Sequence, residues 1–313
     1  MSADDSPRLW LERMQLAVDE LNYQGTLMHM TPGHAEQFSV YHRVTDKGAT
    51  ERLVWVDGVG AEIIRTHNEV ICVFPDKKSV VVKNRQTNEA MGPLLVNLPA
   101  FSDTLLEHYE LSFLAADRVA EQSAVVIQIN PRDQFRYGYR LWIDEKTAMP
   151  LKSQLIGEDP TMPLEEIRFI SILLPDQVSA DLVKPSINTT SFQVDRHRKA
   201  PTQQRQDGAK INWRAREVPS GFMLSVARFE YMKGNSPRMH LVYTDGLASI
   251  SVFLDLGVAT PEQVEGHSTF GAASAYSVMN GGYLVTALGE VPPQTLQTIA
   301  ESMYLDGAAS QAP

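Results

Sequence analysis

Short β-prone runs, each closed by a turn cluster, fill most of the chain. After Tyr23 the order is GTLMHM then TPGHAEQ, FSVYHRV then TDKGA, RLVWV then DGVG, EIIR then THNE, VICVF then PDKK, and SVVV. Each run is short, β-prone and bounded by turn residues, the signature of a strand. Brief polar turns between such runs favour antiparallel neighbours, so the pattern reads as a meander. Helical spacing appears first at the start. Ser6-Pro7 supplies a cap and a first-turn proline, and Leu9, Trp10, Arg13, Met14, Ala17, Val18 and Leu21 follow. Residues 85–110 break the rhythm with Pro93, Pro99 and a short helical candidate, DTLLEHY. Strands then resume at LSFLAADRVA, AVVIQI, FRYGYRLWID, PLKSQLI and EEIRFISIL.

Many strands with few helices predict a mainly β (α+β) chain whose first part is a large curved sheet or open β-barrel around helical material. In FRYGYRLWID an extended backbone puts Phe135, Tyr137, Tyr139, Leu141 and Ile143 on one face and Arg136, Arg140 and Trp142 on the other. Phe38, Val40 and Val44 form a similar stripe, with His42 among them. Such stripes are ordinarily plain core. Here the large apolar faces exceed what the helices can cover, and a curved sheet that is not fully plugged holds a hydrophobic cavity. The candidates to line it are Trp55, Phe135, Tyr137, Tyr139 and Leu141.

From Asp176 to about Asn212 periodicity fades into Pro, Ser, Thr, Gln and basic residues, the look of a linker. The expected division is a first domain over 1–178, a linker over 179–212 and a second domain over 213–313. The second has its own strands, GFMLSVARFEYM, HLVYT, LASISVFLDL, STFGAASAYSVMN and YLVTALG. Asp245-Gly246 and Asn280-Gly281 supply the positive φ angles of tight hairpin turns. VPPQTLQTIAESM places prolines at a helix start and Leu296, Ile299, Ala300 and Met303 on one face. A smaller antiparallel sheet backed by a terminal helix is therefore expected.

Length agrees with two domains, since 313 residues exceed the usual span of one. Hydrophobic residues at 43% and charged ones at 21% fit a globular chain rather than a disordered or fibrous one. A net charge of -10 argues against a phosphate-backbone binder, so no nucleic-acid partner is expected. The stretch Arg196–Arg216 is nonetheless locally basic. It reads as a solvated linker or as a patch for an acidic partner or a lipid headgroup. Cys72, the single cysteine, excludes an internal disulfide and a cysteine-rich metal site. Within VICVF it reads as a small buried apolar side chain. No stretch approaches the roughly 18 apolar residues that span a bilayer. Residues 1–30 also lack the basic-then-apolar layout of an export signal.

Chemistry finds little footing. There is no phosphate-cradling glycine loop and no dinucleotide fingerprint after a strand, so no cofactor is expected. Gly266-His267-Ser268-Thr269-Phe270 approaches a nucleophile elbow, but Phe270 stands where that turn needs glycine. His29, His34 and His42 crowd the first hairpin, where two could face each other across paired strands. Without a third or fourth ligand at matched spacing they hold no metal. Glu165-Glu166 and Asp4-Asp5 are adjacent pairs that point to opposite faces or to solvent and cannot share a substrate. Asn188-Thr189-Thr190 matches a glycosylation sequon, a pattern short enough to arise by chance. No catalytic residues are assigned, and the chain reads as a binding protein.

Several stretches resemble the RseB/MucB family in order and spacing: NYQGTLMHM, YHRV, ERLVWVDG, PRDQFRYGYRLWIDEKTAMPLKSQL (Pro131 to Leu155), WRAREVPSGF (Trp213 to Phe222), YTDGLASISVF (Tyr243 to Phe253) and LGEVPPQTLQTIAESM. The resemblance runs from Leu9 to Met303 and spans both domains. It implies a periplasmic regulator whose first domain is similar to the lipoprotein carriers LolA and LolB, an open β-barrel with helices inside. It further implies that the protein binds the periplasmic domain of a membrane-anchored anti-sigma factor, RseA-like or MucA-like, and shields it from the first regulated cut. Acyl chains or lipopolysaccharide fragments would loosen that grip. Such a protein touches the membrane only through its partner, and an export signal would have been removed ahead of Met1. Side-chain pattern in the second domain nominates Trp213, Arg214, Arg216, Phe222 and Tyr243 for the partner. The alternative is a periplasmic lipoprotein or lipid carrier, for which the first domain alone would suffice.

Overall fold

The structure is a computed structural model and describes residues 5–58, 60–84, 103–197, 213–231, 237–255 and 266–305. Ser6 caps α1 (Pro7–Glu20), its hydroxyl oxygen accepting from Leu9 N at 3.2 Å, and Pro7 gives up no hydrogen bond at the first helical position. The helix buries Trp10, Leu11, Met14, Ala17 and Val18. Arg13, which spacing placed on that face, is exposed and bonds Asp5 at 3.3 Å.

The chain then runs through β1 (Tyr23–Thr31), β2 (His34–Thr45), β3 (Gly48–Trp55), β4 (Glu62–Arg65), β5 (Glu69–Phe74) and β6 (Ser79–Asn84). After α2 (Asp103–His108) come β7 (Tyr109–Val119), β8 (Gln122–Pro131), β9 (Gly138–Asp144), β10 (Pro150–Ile156) and β11 (Glu165–Leu173). With β12 (Gln193–His197) they make one twelve-stranded sheet in the order β12-β6-β5-β4-β3-β2-β1-β11-β10-β9-β8-β7. Neighbours are antiparallel except β12, which runs parallel to β6. Among the described residues β12 and β7 each have one neighbour, so the sheet as described does not close into a barrel. It curls strongly, as native twist demands. Residues of β7 come within 8 Å of β11, Cα to Cα, although three strands separate them in the order.

One face of this sheet carries Ile127 on β8, Leu141 on β9 and Ile167 on β11. The apolar surplus expected there is met by α1, by Leu105 of α2, and by Leu247 from the second domain, all packed in the same cluster. β9 starts only at Gly138, so Phe135 and Tyr137 lie in the loop before it and do not share a strand face with Leu141.

The segment expected to begin a free linker at 179 is instead fastened to the first sheet as far as His197. Arg43 Nε donates to Val178 O at 2.9 Å and Arg52 Nη1 to Leu182 O at 3.0 Å. The buried Glu62 carboxylate accepts from Ser186 N at 3.1 Å and from its hydroxyl. Val178 and Val183 are buried, and β12 completes the attachment. Aperiodic sequence concealed this because most of these contacts are backbone groups meeting the side chains of Arg43, Arg52 and Glu62, which leave no apolar periodicity. The rest of the linker, 198–212, lies outside the described residues.

The second unit contains β13 (Trp213–Ala215), β14 (Met223–Tyr231), β15 (Pro237–Thr244), β16 (Ser249–Asp255), β17 (Gly266–Phe270), β18 (Ala273–Asn280), β19 (Tyr283–Gly289), α3 (Pro293–Glu301) and β20 (Met303–Leu305). Six of these strands form an antiparallel sheet ordered β14-β15-β16-β19-β18-β17, and β13 pairs with β20. Leu296, Ile299 and Ala300 of α3 pack on Val252, Leu254, Val285 and Ala287 of the sheet. STFGAASAYSVMN, read as one strand, folds back at Gly271, whose φ of 60° makes it a hairpin. Gly281 and Gly282, both at positive φ, form the turn between Asn280 and Tyr283. Asn280 Nδ2 is thereby left to bond the carbonyls of Glu301 and Met303 at 3.0 and 2.7 Å.

Candidate functional site

The most constrained chemistry lies where the two units meet. Asp245 opens the Asp-Gly turn of the β15–β16 hairpin, and its Oδ1 accepts from Leu247 N and Ala248 N at 2.8 and 2.7 Å. Its Oδ2 faces the first unit, accepting from Arg136 Nη1 at 2.6 Å and from the Tyr109 hydroxyl at 2.9 Å. Arg136 Nε donates to Asp133 Oδ1 at 3.0 Å, and Nη2 serves Asp133 Oδ2 and the Ser220 carbonyl. The guanidinium lies over the rings of Phe222 and Tyr109, 4.9 and 5.6 Å from their centroids. Both charged side chains have 0% exposure. Burial and the Asp245 carboxylate push the Tyr109 phenol well up, so it stays a donor. Removing two ions from water costs several kcal/mol each, and only geometry this complete offsets it.

Other contacts border the pair. Gly221, at φ 86°, lies against the His108 ring, where an added Cβ would meet Nε2 at 2.4 Å. Gln294 Nε2 donates to Gln134 O at 2.8 Å and Thr295 Oγ1 to Phe135 O at 2.9 Å, tying the start of α3 to the loop before β9. Farther along the seam His29 Nε2 lies 2.7 Å from Glu165 Oε1, and its Nδ1 lies 3.8 Å from Glu36 Oε2. The bond to Glu165 holds the His29 pKa above its ordinary value against a smaller burial effect. Glu290, at the edge of the second unit, is pushed up by partial burial and by nearby Glu165.

The three clustered histidines do not converge. Across β1 and β2 His29 pairs with Glu36, His34 with Thr31 and His42 with Tyr23. The buried His42 ring stacks on Tyr23 at 4.6 Å and donates from Nδ1 to Leu21 O at 2.9 Å, and burial lowers its pKa. Among the described residues no group of three or more His, Cys, Asp and Glu side chains could hold a metal ion. Glu165 and Glu166 point to opposite faces, the first to His29 and the second to Lys152 at 2.9 Å. Cys72 is half-buried, and its thiol is pushed up by burial.

The five proposed cavity residues fall in three places. Leu141 is core and Tyr139 packs against it. Trp55 is half-buried and meets Phe38 edge-on at 4.8 Å. Phe135 and Tyr137 are half-buried in the loop at the seam. None of them lines the cavity of about 370 Å³ that opens between α1 and the β9–β10 turn, walled by Trp10, Leu16, Leu21 and Lys146 among others. Of the partner candidates, Trp213 is buried edge-on to Tyr283 at 5.0 Å. Tyr243 is also buried, its hydroxyl oxygen accepting from Ala215 N at 3.1 Å, so these two anchor β13 to the sheet. Phe222 is the seam ring under Arg136. Arg214 is exposed, and Arg216 lies over Tyr304 at 4.7 Å. Sequence reasoning passed over Arg136, Tyr109 and Asp245. The available signal was an arginine and an acidic turn residue inside the two blocks PRDQFRYGYR and YTDGLASI.

Two family models match in chain order, the MucB/RseB N-terminal domain over residues 6–187 and the MucB/RseB C-terminal domain over residues 207–304. The Pseudomonas aeruginosa protein described as sigma factor AlgU regulatory protein MucB is 29% identical over 311 residues, covering 96% of this chain and 92% of its own. The solved complex structure of Pseudomonas aeruginosa MucA/MucB superposes with a TM-score of 0.75 at 27% identity, covering 96% of this chain and 99% of that one. The crystal structure of MucB superposes with a TM-score of 0.63 at 26% identity, covering 97% and 99%.

Proposed function

Because the chain belongs to the MucB/RseB family through both of its units, we propose that it is a periplasmic negative regulator of an envelope-stress sigma factor. In this reading it binds the periplasmic segment of a membrane-anchored anti-sigma factor, shields it from regulated proteolysis, and is released by lipid or lipopolysaccharide signals. The observation that carries the reading is the match of both family domains in order, joined to a relative of full-length coverage solved as a complex with MucA. A lipid or lipoprotein carrier has no use for the second unit or for a buried ionic seam, so the regulator is preferred to it.

The geometry supports a division of labour. Arg214 and Arg216 offer cations at the surface of the second unit, held there by the buried anchors Trp213 and Tyr243, with Phe222 reaching the seam. In the first unit Leu141, Tyr139 and Trp55 belong to the apolar interior of the curled, LolA/LolB-like sheet, and Phe135 and Tyr137 flank it. That interior is filled partly by Leu247 of the second unit. An acyl chain entering there competes with Leu247, so lipid binding and the present arrangement of the units oppose each other, which is the coupling a lipid-released regulator needs.

The test is protection. The anti-sigma periplasmic segment is incubated with its regulated protease, with and without this protein. Cleavage is expected to slow in its presence and to recover when lipopolysaccharide fragments are added. Equal cleavage rates with and without the protein would contradict the reading.

A further inference from the structure

We propose that the Arg136–Asp245 pair is a latch that fixes the arrangement of the two units, and that the partner segment is held only while the latch is closed. The second half rests on the function proposed above. The two side chains come from different units and both are fully buried, so the units cannot part without giving both charges to water. All three nitrogens of Arg136 are used, reaching Asp133, Asp245 and the Ser220 carbonyl. Both oxygens of Asp245 are used as well, one for its own turn and one across the seam. A guanidinium fork meets its partners at one angle only, which gives the contact the all-or-none character of a catch.

Such a pair suits a switch better than a permanent weld. On opening, water regains both ions and offsets most of the lost attraction, so the net cost of parting is far below what the short contact suggests. The remaining polar ties described across the seam, Gln294 to Gln134 and Thr295 to Phe135, are single neutral hydrogen bonds. The whole chain superposes on the MucA/MucB complex with a TM-score of 0.75 and on MucB alone with 0.63.

Three variants of the full chain test the latch. Asp245→Asn keeps an oxygen for the turn and removes the charge, Arg136→Met removes the opposite charge, and Tyr109→Phe removes one hydrogen bond while keeping the ring. Small-angle scattering reads the arrangement. Titration calorimetry with the periplasmic segment of the cognate anti-sigma factor reads binding, and circular dichroism confirms folding. Asp245→Asn and Arg136→Met should enlarge the radius of gyration and weaken partner binding by about tenfold, with Tyr109→Phe moving both in the same direction but less. The double variant Arg136→Met/Asp245→Asn should be no worse than the worse single, because both act through one contact. If a single variant does not fold, the double variant and Tyr109→Phe decide the same comparison. Folded variants that scatter like the wild type, or that open yet keep full affinity, overturn the latch. A wild type that binds no partner overturns the proposed function instead, and the scattering comparison still decides the latch.

Discussion

Replacing Gly25 by alanine should break the join on which the large sheet depends. Gly25 sits on β1 beside the irregularity where β1 meets β11, the pairing that joins β1–β6 to β7–β11 in the sheet. A Cβ at that position would lie 2.2 Å from the Ser171 carbonyl oxygen and 3.2 Å from both Ile172 Cα and Phe169 Cδ1. The first of these is backbone held in a ladder, so β1 and β11 must move apart. Overpacking costs about 1 to 3 kcal/mol, and a rigid neighbour puts this site at the top of that range. For a unit of this size about 3 kcal/mol lowers the melting temperature by about 6 to 12 °C. Gly33→Ala is the comparison, since Gly33 has nothing within 4 Å but a φ of 79°, and only the left-handed strain of about 1 to 2 kcal/mol applies. Thermal melts give the stabilities, and hydrogen exchange over 23–31 and 165–173 should show the loss confined to that join. A Gly25→Ala protein that melts no lower than Gly33→Ala would refute the close-approach argument.

Protonation of the two buried-face histidines should act in opposite directions. His42, its pKa lowered by burial, makes the unfolded chain take a proton first as pH falls below about 6.5, so stability drops toward acid and His42→Phe should flatten that slope in denaturant titrations. His29, its pKa raised by Glu165, gives stability that is complete below about pH 6.5 and is lost as pH rises through its folded value. The gap between wild type and His29→Ala should therefore close at higher pH. Limited trypsin digestion should cut first after Arg198, Lys199, Arg205 or Lys210 and leave the 176–197 segment with the first unit, because Arg43, Arg52 and Glu62 hold it. Early cutting after Arg196, inside β12, would contradict that attachment. Trp55→Glu should weaken fluorescent fatty-acid binding, since a carboxylate at this half-buried position against the apolar interior loses part of its hydration, while partner binding is kept. Parallel loss of lipid and partner without unfolding would count against an interior lipid site.

Strands were legible where a β-prone run ends at turn residues. EIIR, PLKSQLI, EEIRFISIL and YLVTALG match β4, β10, β11 and β19 end to end. β12 was not, because its parallel pairing with β6 joins segments more than a hundred residues apart and needs no turn. The β17–β18 hairpin was hidden because Gly271 stands among small residues that read as continuous strand. The site was less legible than the fold. Trp213 and Tyr243 look like recognition residues on composition, yet they are buried supports for β13. Asp245 was read as turn chemistry, correctly for Oδ1, whereas the role of Oδ2 depends on Arg136, which is adjacent only in three dimensions.

The central claim is that this chain grips an anti-sigma factor, and isothermal titration of the cognate periplasmic segment into the intact protein tests it most directly. Saturable binding at about micromolar affinity or tighter, with co-elution on gel filtration, is the predicted result. No heat and no co-elution would contradict it.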